Sequence, residues 1–153
     1  MRCGIIGYGR FGKLWAKCLA GIGQEVLVYD KDVKSIKYKV KKVIFVSLRK
    51  VVDVDFLFLL VPIAEMGNVC KEIVALLDKH TVVVDACSVK IFPVKIMKKI
   101  LANNQPIIGT HPLFGPDSVK RLGLSGREIA VCPVRRAQTQ MQNLEKLLRK
   151  LKL

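Results

Sequence analysis

Short apolar runs alternate with stretches whose apolar residues recur every three or four positions, and the alternation persists along the whole chain. Runs of the first kind predict strands and stretches of the second kind amphipathic helices, so the order describes a mainly parallel sheet with helices on both faces, a doubly wound α/β fold. The first strand is Arg2 to Ile6. A glycine turn leads into a helix that carries Phe11, Leu14, Trp15, Cys18, Leu19 and Ile22 on one face and ends at Gly21 to Gly23. Strand Glu25 to Tyr29 follows, then a third strand near Val43 to Val46. A fourth, Phe56 to Val61, is continuous in apolar residues, as a strand buried on both faces should be. Pro62 stops it. A helix from Ala64 to Asp78, a strand from Thr81 to Ala86, a helix from Pro93 to Leu101 and a short strand at Ile107 and Ile108 come next. Gly109 to Gly126 holds several glycines and prolines and reads as a long loop. Strand Glu128 to Cys132 and a helix with Met141, Leu144, Leu147, Leu148 and Leu151 close the chain, with Thr139 and Gln142 spaced as a capping box. Between Asp30 and Val43 the residues Ile36, Tyr38 and Val40 alternate with lysines, and helix and extended chain remain equally open there.

The glycine turn carries the first chemical signal. Gly7, Gly9 and Gly12 form a Gly-x-Gly-x-x-Gly run between a strand and a helix at the start of the chain. In that context the first glycine permits the tight turn, the second lets a pyrophosphate approach the backbone, and the third lets helix and strand pack closely. Unpaired amides at the helix start then hold the anion. This is the dinucleotide site of a Rossmann-type fold, and Tyr8, Arg10 and Phe11 lie within it. Asp30, 18 residues beyond Gly12 at a strand end, is placed to accept hydrogen bonds from the adenosine ribose. Its carboxylate favours NAD over NADP, whose 2′-phosphate it would repel; Lys31 and Lys34 work against that preference. Val61, Pro62 and Ile63 end the fourth strand at the carboxyl edge of the sheet and wall the cofactor.

Composition narrows the setting. With 153 residues, 51% of them hydrophobic, the chain suits a single dinucleotide-binding domain whose core needs no staples. The apolar stretch Val54 to Ile63 is interrupted by Asp55 and Pro62 and falls short of the roughly 20 residues of a membrane helix, so no membrane partner is expected. The N-terminus lacks the long apolar segment of a signal peptide, which points to the cytoplasm. Cys3, Cys18, Cys70, Cys87 and Cys132 form no close pairs and read as reduced, mostly buried small hydrophobes. A net charge of +15 attracts anions. The basic residues lack interleaved aromatics that would stack on bases, so an anionic cofactor and substrate suit this charge better than nucleic acid does.

A dinucleotide site does not say what is oxidised. The segment Gly109-Thr110-His111-Pro112-Leu113-Phe114-Gly115-Pro116 sets one of two histidines in a stiff, non-helical stretch at the carboxyl side of the sheet, and Asp85-Ala86-Cys87-Ser88-Val89-Lys90 ends another strand on that side. His80 looks like a solvated helix-end residue. With its glycine fingerprint, its Asp-x-x-Ser-x-Lys element and its Thr-His-Pro-x-Phe-Gly-Pro element in this order, the chain resembles the prephenate and arogenate dehydrogenases, NAD(P)-dependent enzymes of tyrosine biosynthesis. The resemblance covers essentially the whole sequence, and the last element is its most specific part.

The resemblance implies that His111 is the catalytic histidine and that Ser88 contacts it or the substrate hydroxyl. It implies oxidative decarboxylation of prephenate to 4-hydroxyphenylpyruvate, with hydride passing to NAD and the ring-hydroxyl proton to His111. An imidazole, with a reference pKa of about 6.5, suits that proton transfer near neutral pH. Arogenate oxidation is the alternative within the family, and a non-catalytic dinucleotide-binding module the alternative outside it. Members of the family usually continue into a helical domain that forms a homodimer and completes the substrate pocket; that domain is expected to be absent from these 153 residues.

Overall fold

The computed structural model describes residues 1–32 and 42–153. Seven strands form one sheet in the order β3-β2-β1-β4-β5-β6-β7. They are β1 (Arg2–Ile6), β2 (Glu25–Tyr29), β3 (Val43–Phe45), β4 (Phe56–Leu59), β5 (Val82–Asp85), β6 (Ile107–Pro112) and β7 (Ile129–Arg135). The strands from β3 to β6 run parallel, and β7 closes the edge antiparallel to β6. The helices are α1 (Arg10–Gly21), α2 (Leu48–Val51), α3 (Met66–Ile73), α4 (Ile91–Ile100), α5 (Pro116–Leu122) and α6 (Gln138–Lys150). This is the Rossmann-type doubly wound fold expected from the pattern. The strand order reverses direction between β1 and β4, which opens a crevice above the carboxyl ends of these two strands.

β4 shows why the central strands are continuously apolar. Phe56 and Phe58 join the core on one face with Trp15 and Leu19 of α1 and Leu144 and Leu147 of α6. Leu57 and Leu59 join the other with Met66, Val69 and Ile73 of α3 and Met97 of α4. Both faces of the strand are therefore covered, and alternation has no solvent side on which to place polar residues. Among the described residues no helix is long and apolar enough to cross a membrane.

Several boundaries differ from expectation. The stretch Gly109 to Gly126 is not one long loop: β6 extends through Pro112, and Pro116 starts α5. β7 reaches back across the sheet edge and pairs with Thr110, His111 and Pro112, so tertiary pairing overrides the turn-forming composition. α6 begins after Ala137 without a side-chain cap, which leaves Thr139 and Gln142 inside the helix and not in a capping box. The helix after Pro62 begins as a 3₁₀ turn, Ile63–Glu65, and its α-helical part is shorter than expected. α2, a single turn, gave no periodic signal. Ile36, Tyr38, Val40 and Lys34 lie outside the described residues.

The three fingerprint glycines divide their tasks visibly. Gly7 adopts φ +100°, which L side chains rarely adopt, and its N–H donates to the Tyr29 carbonyl at 3.0 Å. A Cβ on Gly12 would collide with the Gly7 carbonyl oxygen, whereas a Cβ on Gly9 would meet nothing within 4 Å. Gly12→Ala should therefore destabilise the chain by about 2–3 kcal/mol through overpacking. Gly9→Ala, in open space before the helix, should cost less than about 1 kcal/mol. Urea unfolding of the two variants checks this, and equal losses would contradict the division of tasks.

Candidate active site

The glycine turn sits at the carboxyl end of β1 and feeds directly into α1. Gly9 precedes the first turn of that helix, no side chain caps its N–H groups, and no acidic residue occupies the turn. Unpartnered amides, the positive end of the helix dipole and the empty space at Gly9 together fit a pyrophosphate. Asp30, at the end of β2, faces the same turn: its carboxylate accepts from the Tyr8 backbone N–H and, at 2.8 Å, from the Asp32 N–H. Thus the acidic residue also holds the glycine turn in shape.

Below this turn lies a cavity of about 320 Å³ whose walls include Gly7, Gly9, Asp30, Lys31, Val61 and Pro62. The same cavity exposes Glu65 and Glu72, two carboxylates that sequence reasoning missed because they belong to the helical segment after β4. Lys31 donates to Glu72 at 2.8 Å, and this hydrogen bond raises its ammonium above the ordinary lysine value. The cavity thus presents Asp30 and Glu65 beside an ammonium already engaged by a third carboxylate. Ile63 starts the 3₁₀ turn beside it and is 37% exposed.

Neither Tyr8 nor Phe11 lines this cavity. The Tyr8 side chain is buried, meets Phe45 edge-on at 4.9 Å between ring centres, and has its phenol pushed up by burial; its backbone alone faces the turn. Phe11 packs on Trp15 at 5.8 Å and on Phe114 at 6.1 Å. Phe114 lies three residues beyond His111, so the histidine segment is anchored on the helix of the glycine turn. Arg10 adds a second link, pairing with Asp117 of α5 at 2.5 Å across an exposed gap.

His111 and Ser88 come to the same edge of the sheet. Asp85, the last residue of β5, pairs with Gly109 of β6; Ser88 lies three residues beyond the one and His111 two beyond the other. His111 is half-buried and Ser88 exposed. From β1 to β6 there are three strand spacings, about 14 Å, a span an extended dinucleotide can cover. Between the two elements sits a buried carboxylate, Asp85, paired with Lys90 and accepting the Cys87 N–H at 3.0 Å. Burial first, and the Asp85 charge next, push the Cys87 thiol up to about 11, so it is a poor nucleophile at neutral pH. Among the described residues no group of three or more His, Cys, Asp or Glu side chains could hold a metal.

His80 lies at the opposite edge, before β5, where its N–H donates to Asp78. A larger cavity, about 760 Å³, opens there between His80, Arg135 and the start of α6. It has no glycine turn. Arg135 is committed to packing: its guanidinium donates to the carbonyls of Gln105, Lys98 and Leu101 around the end of α4.

Comparison with known proteins places this geometry. A sequence-family model described as prephenate dehydrogenase, nucleotide-binding domain, matches residues 15–153. Arogenate dehydrogenase 1, chloroplastic, of Arabidopsis thaliana is 30% identical over 131 residues, which are 78% of this chain and 19% of that protein. Prephenate dehydrogenase from Aquifex aeolicus, solved with hydroxyphenyl propionate and NAD+, superimposes with a TM-score of 0.78 at 20% identity, covering 99% of this chain and 57% of that one. Synechocystis arogenate dehydrogenase gives a TM-score of 0.81 at 19% identity, covering 100% of this chain and 58% of that one. At such identities the two structures speak for the fold. This chain spans between a fifth and three-fifths of the length of these three proteins.

Proposed function

The chain belongs to the prephenate dehydrogenase family, as its nucleotide-binding domain, and we propose that it holds NAD and the catalytic base for oxidative decarboxylation of prephenate to 4-hydroxyphenylpyruvate. The observation that carries this reading is the placement of His111, anchored through Phe114 to the helix of the glycine turn, at the carboxyl edge shared with Ser88. Bound NAD would supply the hydride acceptor. The amides at Gly9 and the start of α1 hold its pyrophosphate, and Asp30 accepts from the ribose hydroxyls once the nucleotide arrives. His111 takes the proton of the ring hydroxyl as hydride leaves the same carbon, and Ser88 orients that hydroxyl or the imidazole. Loss of carbon dioxide then gives the aromatic ring.

The remainder of the substrate pocket and a homodimer interface are assigned to a helical domain outside these residues. Val89, Ile91 and Phe92 follow Ser88 and are exposed, Ile91 at 87%, an apolar rim suited to such a cover.

Prephenate is favoured over arogenate by charge. Arogenate carries an ammonium where prephenate carries a keto group, and recognising it calls for a free carboxylate near His111. Asp117 is already paired with Arg10, which leaves Glu128, whose carbonyl accepts the Leu113 N–H, as the other carboxylate of this stretch. Lys120, Arg121 and Arg127 leave a surplus of positive charge for prephenate's two carboxylates. The arogenate reading rests on relatives of that name.

Two measurements test the proposal. NAD should bind the chain at least about tenfold more tightly than NADP, since a 2′-phosphate would meet Asp30 and Glu65 with Lys31 held by Glu72. Calorimetric titration with both cofactors decides this, and tighter NADP binding overturns it. In the full-length protein, His111→Asn should lower kcat about a hundredfold while leaving NAD affinity unchanged. Steady-state kinetics with prephenate and arogenate read this; parent-like turnover would make His111 structural, and a kcat/KM at least about tenfold higher for arogenate would reverse the substrate assignment.

A further inference from the structure

The parallel ladder between β5 and β6 ends at the Asp85–Gly109 pair, whereas β6 continues to Pro112 with β7 as its neighbour. Thr110, His111 and Pro112 therefore overhang the end of β5 on that side. Side chains replace the missing ladder there. Lys90 Nζ donates to the Thr110 carbonyl at 2.5 Å and pairs with the Asp85 carboxylate. Thr110 Oγ1 donates to the Asp85 carbonyl at 2.7 Å, and Asp85 Oδ2 also accepts the Cys87 N–H, which fixes the start of the turn that carries Ser88. The group is enclosed: Asp85 is fully buried and the Lys90 side chain 25% exposed. It also lies directly on the strand backbone, since a Cβ on Gly109 would come within 3.2 Å of Lys90 Cδ and 3.3 Å of Asp85 Oδ1.

A buried ion pair contributes little net stability, because desolvation offsets the attraction. Geometry is what it fixes. We propose that Lys90 and Asp85 are positioning residues for the reaction: the pair clamps Thr110 to the end of β5 and so sets the backbone bearing His111 against the turn bearing Ser88. This rests on His111 being the base. Misplacing that base by about 1 Å can cost about a hundredfold in rate. Neither side chain needs to touch the substrate for the effect to appear.

Lys90→Met alone would leave a buried charge unpaired, so the informative variant is Asp85→Asn/Lys90→Met, which removes both charges. In the full-length protein it should melt close to the parent and bind NAD equally, yet lose about 10- to 100-fold in kcat with the KM for NAD unchanged. Lys90→Arg, which keeps the charge and the donors, should recover most of that loss. Thr110→Val removes the hydroxyl link alone and should lower kcat in the same direction by a smaller factor. Parent-like kcat in whichever of the double variant and Thr110→Val folds overturns the proposal, because a merely stabilising pair would spare turnover once folding was intact.

Amide hydrogen exchange supplies a readout that needs no activity. Exchange at Thr110 and His111 should quicken by about tenfold or more in the double variant while Val83 and Ile107 keep parent rates. Unchanged exchange at Thr110 and His111 would overturn the clamp even if kcat fell. If the parent oxidises neither prephenate nor arogenate, the proposed reaction fails, and exchange still decides whether the clamp exists.

Discussion

The close approach of Gly12 to the Gly7 carbonyl is the contact on which the rest of this site depends. It allows α1 to start immediately above β1, with its amides aimed over the crevice where the strand order reverses. The position of α1 then determines where Phe11 and Trp15 lie, and these two rings receive Phe114 from the far side of the site. One backbone contact therefore sets both the start of α1 and the place where Phe114 packs on it. A larger residue at position 12 would displace the helix and the support of the His111 segment with it.

Charge is distributed unevenly around this frame. The chain as a whole carries +15, yet the cavity beside the glycine turn gathers Asp30, Glu65 and Glu72 around Lys31. A dinucleotide bound as proposed would meet backbone amides at the pyrophosphate and carboxylates at the ribose. A basic surface raises the local concentration of anionic ligands, and in the proposed complex the local carboxylates would discriminate among them.

Much of this was legible in the sequence, for physical reasons that also explain what was not. The glycine run, the continuous apolar strand Phe56–Leu59 and the helix of α1 are local patterns, and each maps onto one element. His111 and Ser88 stood out because proline and glycine around them signal non-helical chain at a strand end. By contrast, the strand state of Thr110 to Pro112 is decided by pairing with β7 about twenty residues later, which no local pattern encodes. The Glu72–Lys31 bond and the Phe114–Trp15 contact are likewise tertiary. Tyr8 and Phe11 show how tertiary packing uses fingerprint side chains: the Tyr8 ring is buried in the core and Phe11 packs, partly buried, against it.

In the proposed complex one dinucleotide lies across the carboxyl edge of the sheet from Asp30 toward His111. Titrating the isotope-labelled chain with NAD and following backbone amide shifts tests it most directly. Saturable shifts are expected at Gly7, Gly9, Asp30 and Val61, extending to residues 86–88 and 110–111, with the cavity between His80 and Arg135 unaffected. Shifts confined to His80, Arg135 and the start of α6, with the glycine turn unmoved, would contradict it.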